Sequence, residues 1–290
     1  MMDLSLRDPN SVSNPNHNIF GVPTDEENAR LVILPVPWEV TVSYSAGTAR
    51  APEAIMKASY HIDLFDAEMP HAWKQGFNMK PCDRKILMKS DYLRKEAELY
   101  IDYISKGNDV NDNHFISKTL KEVNEGGVFL NGWVYEQTRS LLNRGKLVGL
   151  LGGDHSIVLG YLKALGEKEK SFGILQIDAH CDLRENYEDF LYSHAGIMYN
   201  ALKDIDSIER LIQIGARDYS NKAEWNYIKS SNQRVKTYFY RDIKNRQFFG
   251  ENWHSICNEI ISELPHKVYI SFDIDGLDRK LCNLLTTSNN

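Results

Sequence analysis

Residues Ser171–Asp182 read SFGILQIDAHCD, an apolar run that breaks off into Asp178, His180 and Asp182 at alternate positions. On a strand, alternate side chains share a face, so the spacing predicts that all three point the same way. Phe172, Ile174, Leu175 and Ile177 make the run apolar on both faces, the pattern of a parallel strand covered by helices on each side. Two further stretches have the same shape. KLVGLLGGDHS places His155 just beyond a short apolar run, and KVYISFDIDGLD places Asp273 and Asp275 at alternate positions ending another. Ligands of open α/β sheets bind at the carboxyl ends of strands. The three strand ends therefore predict a metal site drawn from His155, Asp178, His180, Asp182, Asp273 and Asp275.

The donors are oxygen and nitrogen only, because Cys181 lies between His180 and Asp182 and is expected to face away. Such a set suits manganese, with zinc, iron or magnesium less comfortable, and argues against soft copper or iron–sulfur chemistry. Four aspartates bring a charge of about −4, which a pair of divalent ions neutralises, and an aspartate can bridge two ions. A single ion would leave unpaired buried charge, which is costly. The plain alternative is a capping or salt-bridging cluster, but three ionisable groups on one face of a buried strand end are hard to satisfy without metal. Asp154, beside His155, is expected to orient a ligand or to cap the helix that follows.

Taken together, GGDHS, DAHCDLR and SFDIDGLD resemble the ureohydrolases, the arginase and agmatinase superfamily, which hydrolyse guanidino groups at a binuclear manganese centre. GTARAPEAI at positions 47 to 55 and YSHAGIM at 192 to 198 resemble that family too, so the similarity runs from about Leu31 to Cys282. It implies two Mn²⁺ per chain, with Asp178 and Asp273 bridging them. By the same analogy His155 and Asp182 complete one metal position and His180 and Asp275 the other. His194, in YSHAGIM, becomes a proton-transfer residue, a role that suits a loop position and an imidazole that titrates near neutrality. The resemblance also implies a three-layer α/β/α fold, arginase/deacetylase-like, and a homo-oligomer, trimer or hexamer. A deacetylase-like amidohydrolase uses one metal with fewer aspartates, and the Asp273/Asp275 pair weighs against it.

The implied substrate is a small cationic guanidino compound. YSHAGIM is closer to the agmatinase-like branch, which favours agmatine going to putrescine and urea; arginine, guanidinobutyrate and formimidoylglutamate are the alternatives. One departure stands against full activity. After GLD the family pattern continues through a further central strand and a glutamate that holds the guanidinium, whereas here the residues after Asp278 have no strand length and no acidic residue. The expectation is a sheet lacking its last central strand, and the rival function is a catalytically impaired member serving as a binding or assembly partner.

Composition is compatible with this reading. A chain of 290 residues with 42% hydrophobic content can bury a full core as one α/β domain, and two domains also fit by length. A net charge of −6 offers nothing to nucleic acid or an anionic membrane and suits a cationic substrate. Four cysteines without CxxC spacing suggest neither a disulfide framework nor a zinc knuckle, so a reducing cytoplasm is the simplest compartment. Residues 1–28, polar and rich in Asn, Ser and Pro, read as an N-terminal arm without signal-peptide or membrane-span character.

Residues 29–290 read as the ureohydrolase-like domain. RLVILPVPW is its first strand, Pro52 sits where a helix start tolerates it, and HIDLFDA is expected as a second short strand. A helical insertion is expected over about 67–145, with Ser90 capping a helix whose Leu93, Ala97, Ile101 and Ile104 share a face. Strand signals recur at RLIQIGAR and VKTYFY, and GENWHSICNEIISEL reads as a helix leading to the final strand. Strand and helix alternate without internal repeat, so a mostly parallel, doubly wound sheet follows.

Overall fold

The structure, a computed structural model, describes residues 8, 11–43, 46–218 and 221–278. The chain divides into two compact units, Met1–Tyr161 and Leu162–Asn290. The expected α/β class is what forms: among the described residues every pairing between strands is parallel, in one three-stranded and one four-stranded sheet.

In the first unit β1 (Leu31–Pro35) lies between β2 (Phe77–Met79) and β3 (Leu147–Leu151). The second strand is therefore Phe77–Met79 and not HIDLFDA. Residues 61–67 are largely exposed and outside regular structure, whereas Asn78 is buried in register with Val32 and its side chain donates to the Thr24 carbonyl at 2.8 Å. Backbone pairing and a satisfied side chain outweigh the alternation of a short, carboxylate-rich segment. Asn18 also braces this strand, its Oδ1 accepting from the Met79 amide at 2.6 Å and its Nδ2 donating to the Met79 carbonyl at 3.1 Å.

Helix α1 (Ala51–Ser59) carries Pro52 in its first turn as expected. The expected helical insertion is two long helices, α2 (Arg84–Ser105) and α3 (His114–Asn143). Helix α2 begins at the Asp83 cap, whose carboxylate accepts from the amides of Lys85 and Ile86. Ser90 is thus interior to the helix and not its cap; its hydroxyl accepts from the Glu39 amide at 3.0 Å. From the same helix Arg94 donates through Nη1 to the carbonyls of Val42 (2.6 Å) and Val40 (3.3 Å), so two helix residues hold the loop that follows β1. Helix α3 ends at Asn143 just before Gly145, whose φ of 75° is the left-handed conformation of a helix stop.

Helix α4 (Val158–Lys168) leads into the second unit. Its strands, β4 (Phe172–Ile177), β5 (Ile208–Ile214), β6 (Val235–Tyr238) and β7 (Val268–Phe272), are ordered β6-β5-β4-β7. The connecting helices are α5 (Ile197–Asp204), α6 (Lys222–Ser230), α7 (Tyr240–Phe248) and α8 (Trp253–Ser262). One core cluster joins Ile212 and Tyr238 of the sheet to Ile243 of α7 and to Ile256 and Ile260 of α8. Residues 279–290, in which no further central strand was expected, lie outside the described residues. No helix of the described chain is long and apolar enough to cross a membrane.

Candidate metal centre

In the second unit β4 ends at Ile177, so Asp178, His180 and Asp182 lie beyond the strand and not on one face of it. The chain turns instead. Asp178 Oδ1 accepts from the His180 amide at 2.7 Å, which curls the backbone back over its own carboxylate. Asp182 takes a φ of 52°, uncommon for a residue with a side chain. Strand β7 ends alongside: the Asp273 amide donates to the Ile177 carbonyl at 2.8 Å, and Asp273 Oδ1 accepts from the Asp275 amide at 3.1 Å, opening a single 3₁₀ turn over Ile274–Gly276. That turn sits hard against β4. A Cβ on Gly276 would come within 2.8 Å of the Asp178 amide nitrogen, so only glycine allows the approach.

These two strand ends bring four of the expected residues together. One ligand atom each of Asp178, His180 and Asp275 lie within 4.8 Å of one another, and a carboxylate oxygen of Asp273 lies as close to one of Asp178. His180 Nδ1 is 3.2 Å from Asp275 Oδ2 and 3.5 Å from Asp178 Oδ1. Asp275 Oδ1 also accepts from the Ala179 amide at 3.1 Å. Hydrogen bonding to Asp178, and then to Asp275, pushes the His180 imidazole up to about 11. The carboxylates therefore favour a positive charge beside them, and Asp178 is only 2% exposed. The donor set fits a divalent cation in charge and hardness: carboxylate oxygens and one imidazole, no sulfur. Cys181 is buried, and burial, then Glu224, raise its thiol well above the usual range, so it stays an inert neutral thiol.

Asp182 is buried, and its carbonyl accepts from the amides of Met198 (3.0 Å) and Tyr199 (3.3 Å) at the start of α5. This ties the loop of His194 to the end of β4. The tie is doubled by the Arg184 amide, which donates to the Ala195 carbonyl at 3.1 Å. His194 opens a 3₁₀ turn capped by Ser193, and its ring stands edge-on to Tyr187 with centroids 5.8 Å apart.

His155 belongs to the first unit, where it opens the 3₁₀ turn His155–Ile157 after β3. Gly153 before it has φ 61°, and a Cβ there would meet the Trp38 carbonyl oxygen at 2.3 Å, which explains a glycine in GGDHS. Asp154 caps the turn as expected: its carboxylate accepts from the Ser156 amide at 3.0 Å and from the Ser156 hydroxyl, and its other oxygen accepts from the Thr41 amide at 3.3 Å.

The sequence reading passed over Gln176 and Gln213. Both are fully buried and sit one residue before the ends of β4 and β5, the first of these an otherwise apolar strand. Gln176 Nε2 donates to Asp178 Oδ2 at 2.9 Å. The signal was available, because a carboxamide inside a two-sided apolar strand has to be satisfied by something specific.

Comparison with known proteins agrees with the motifs. The profile of the Arginase family matches residues 29–283. The N(1)-aminopropylagmatine ureohydrolase of Thermus thermophilus is 26% identical over 258 residues, 89% of this chain and 71% of that protein. The formimidoylglutamase of Halalkalibacterium halodurans is 36% identical over 136 residues, 45% of this chain and 40% of that protein. Among solved structures, the agmatine ureohydrolase of Thermoplasma volcanium superposes with a TM-score of 0.63 at 22% identity, covering 91% of this chain and 73% of that one, a likeness that shows the fold. With the profile spanning most of its length and the acidic strand ends of β4 and β7 converging as described, the chain belongs to the arginase family, the ureohydrolases, on their agmatinase-like branch.

Proposed function

We propose that the protein is a binuclear manganese hydrolase that cleaves a guanidino C–N bond and releases urea, with agmatine as its substrate. The observation that carries this reading is the convergence of Asp178, His180 and Asp275 at two strand ends of an arginase-family chain. Asp178, His180, Asp273 and Asp275 would hold the ions, and the sequence resemblance adds His155 and Asp182 to the set. A pair of divalent cations held there lowers the pKa of water and so supplies a nucleophile near neutral pH.

The residues of the chain do the rest. Acidic side chains around the site favour a cationic guanidinium over a neutral or anionic group. His194 hands a proton to the departing amine as the C–N bond breaks, the usual task of an imidazole on a loop. Agmatine is favoured because similar proteins include N(1)-aminopropylagmatine ureohydrolases and an agmatinase, while a guanidinobutyrase and a formimidoylglutamase mark the alternatives.

Urea release with added Mn²⁺ from agmatine, N(1)-aminopropylagmatine, arginine and guanidinobutyrate, and formamide release from formimidoylglutamate, test the reading. Urea from agmatine at the highest kcat/KM is the expected result. Preference for another guanidino compound corrects the substrate alone. Binding of Mn²⁺ with no turnover on any of them would replace the hydrolase by a binding or assembly role.

A further inference from the structure

We propose that Gln176, backed by Gln213 and Thr237, is a positioning residue that fixes the Asp178 carboxylate in the orientation the metal centre needs. The inference rests on the reading of Asp178 as a metal ligand and goes beyond it to what holds that ligand.

Gln176 and Gln213 face each other across the β4–β5 register, and Gln213 faces Thr237 across β5–β6. The three side chains form one row over three strands. Thr237 Oγ1 donates to Gln213 Oε1 at 2.7 Å, Gln213 Nε2 donates to Gln176 Oε1 at 2.7 Å, and Gln176 Nε2 donates to Asp178 Oδ2 at 2.9 Å. Gln176 is 0% exposed and Gln213 1%, so water does not compete for these groups.

The direction of the row follows from one contact. Gln213 Nε2 also reaches the Cys181 carbonyl at 2.6 Å. A backbone carbonyl only accepts, so Gln213 must present its NH₂ there. Its NH₂ then also faces Gln176, which must answer with its oxygen and turn its own NH₂ toward Asp178. At the far end the Thr237 hydroxyl has to donate to Gln213 Oε1. All three bonds therefore point the same way and end on the carboxylate, an arrangement in which each bond polarises the next.

The consequence is a division of labour within one carboxylate. Oδ2 is engaged by Gln176, while Oδ1 accepts the His180 amide and lies toward the His180 ring. A quarter-turn of the carboxylate would break both bonds, so the face presented to His180, Asp273 and Asp275 is set before any cation arrives. Partners of this kind around a ligand change metal affinity by about 10–100-fold when removed.

The test uses the full chain and two readouts, Mn²⁺ affinity by competition with a chelating dye and melting temperature with and without Mn²⁺. Gln176→Met keeps the length of the side chain and removes the donor; it should bind Mn²⁺ about 10–100-fold more weakly while the metal-free protein melts within a few degrees of wild type. Thr237→Val, at the outer end of the row, should weaken binding about two- to five-fold. Wild-type affinity in Gln176→Met, with only the metal-free melting point lowered, would reduce the row to core packing and overturn the positioning role alone. If Gln176→Met does not fold, Thr237→Val decides, and unchanged affinity there overturns the proposal. Wild-type protein that binds no Mn²⁺ would overturn the metal centre itself and this inference with it.

Discussion

Strands β4 and β7 carry the same signature, an apolar run ending in carboxylates at alternate positions, yet they live in different surroundings. β4 has a neighbour on each edge, β5 and β7, and its residues are buried or nearly so. Among the described residues β7 pairs only with β4, and Val268, Ile270, Phe272 and Ile274 are exposed, Ile270 by 62% and Phe272 by 54%. The difference teaches that an acidic strand end is a statement about ligand chemistry, not about where the strand sits. Asp178 is locked by the fold, through Gln176 and the His180 amide. Asp273 and Asp275 ride on a strand with one paired edge and an apolar face open to solvent, features that lower the cost of local opening and invite pairing with other chains.

The largest effect that would sharpen this contrast is at the ligands. Asp178→Asn should remove at least one Mn²⁺ per chain and cut turnover by about 10³-fold or more, the scale of losing several kcal/mol of transition-state stabilisation. Asp275→Asn, on the more open strand, should lose metal affinity but keep a measurable ion count, as metal analysis of both variants would show. Equal losses would mean that the two strand ends are held alike.

His194→Ala comes next. Its loop is tied to the β4 end, so turnover should fall by about 10²–10⁴-fold with metal content near wild type. Unchanged turnover would make His194 an ordinary loop residue.

The comparison can also be broken without touching the site. Ile174 of β4 is 0% exposed, and Ile174→Ala should cost about 2–5 kcal/mol. Ile270→Ala, on the exposed face of β7, should stay within about 0.5 kcal/mol in denaturant melts and should reduce aggregation. A cost at Ile270 as large as that at Ile174 would show that something covers β7 in solution.

Much of this was legible beforehand. Parallel strands announce themselves as apolar runs, plainly so in β4, and β1, β3, β5, β6 and β7 were also readable as strands. β2 was not, because three residues hold no period and Asn78 argues against a buried strand until its bond to Thr24 is seen. Ser90 misled for a related reason: a hydroxyl that can cap a helix can also serve a distant amide, and only the fold brings Glu39 to it. In the site, Asp178, His180, Asp273 and Asp275 lie together, but not by the alternation that the sequence suggests. They meet through a turn beyond β4 and a 3₁₀ turn after β7 rather than by alternation along one strand.

What the sequence determined by itself is the menu: which segments are strands and helices, from the periods of 2 and 3.6, and which side chains bring oxygen and nitrogen to a strand end. Those are local properties, written within a few residues of one another. Only the tertiary structure decided which strand lies beside which, and with it the bond from the Ala179 amide to an Asp275 carboxylate 96 positions away and the bond from Gln213 to Gln176 across 37. Register between strands depends on where apolar faces and backbone groups are satisfied over the whole sheet, a condition no single segment carries.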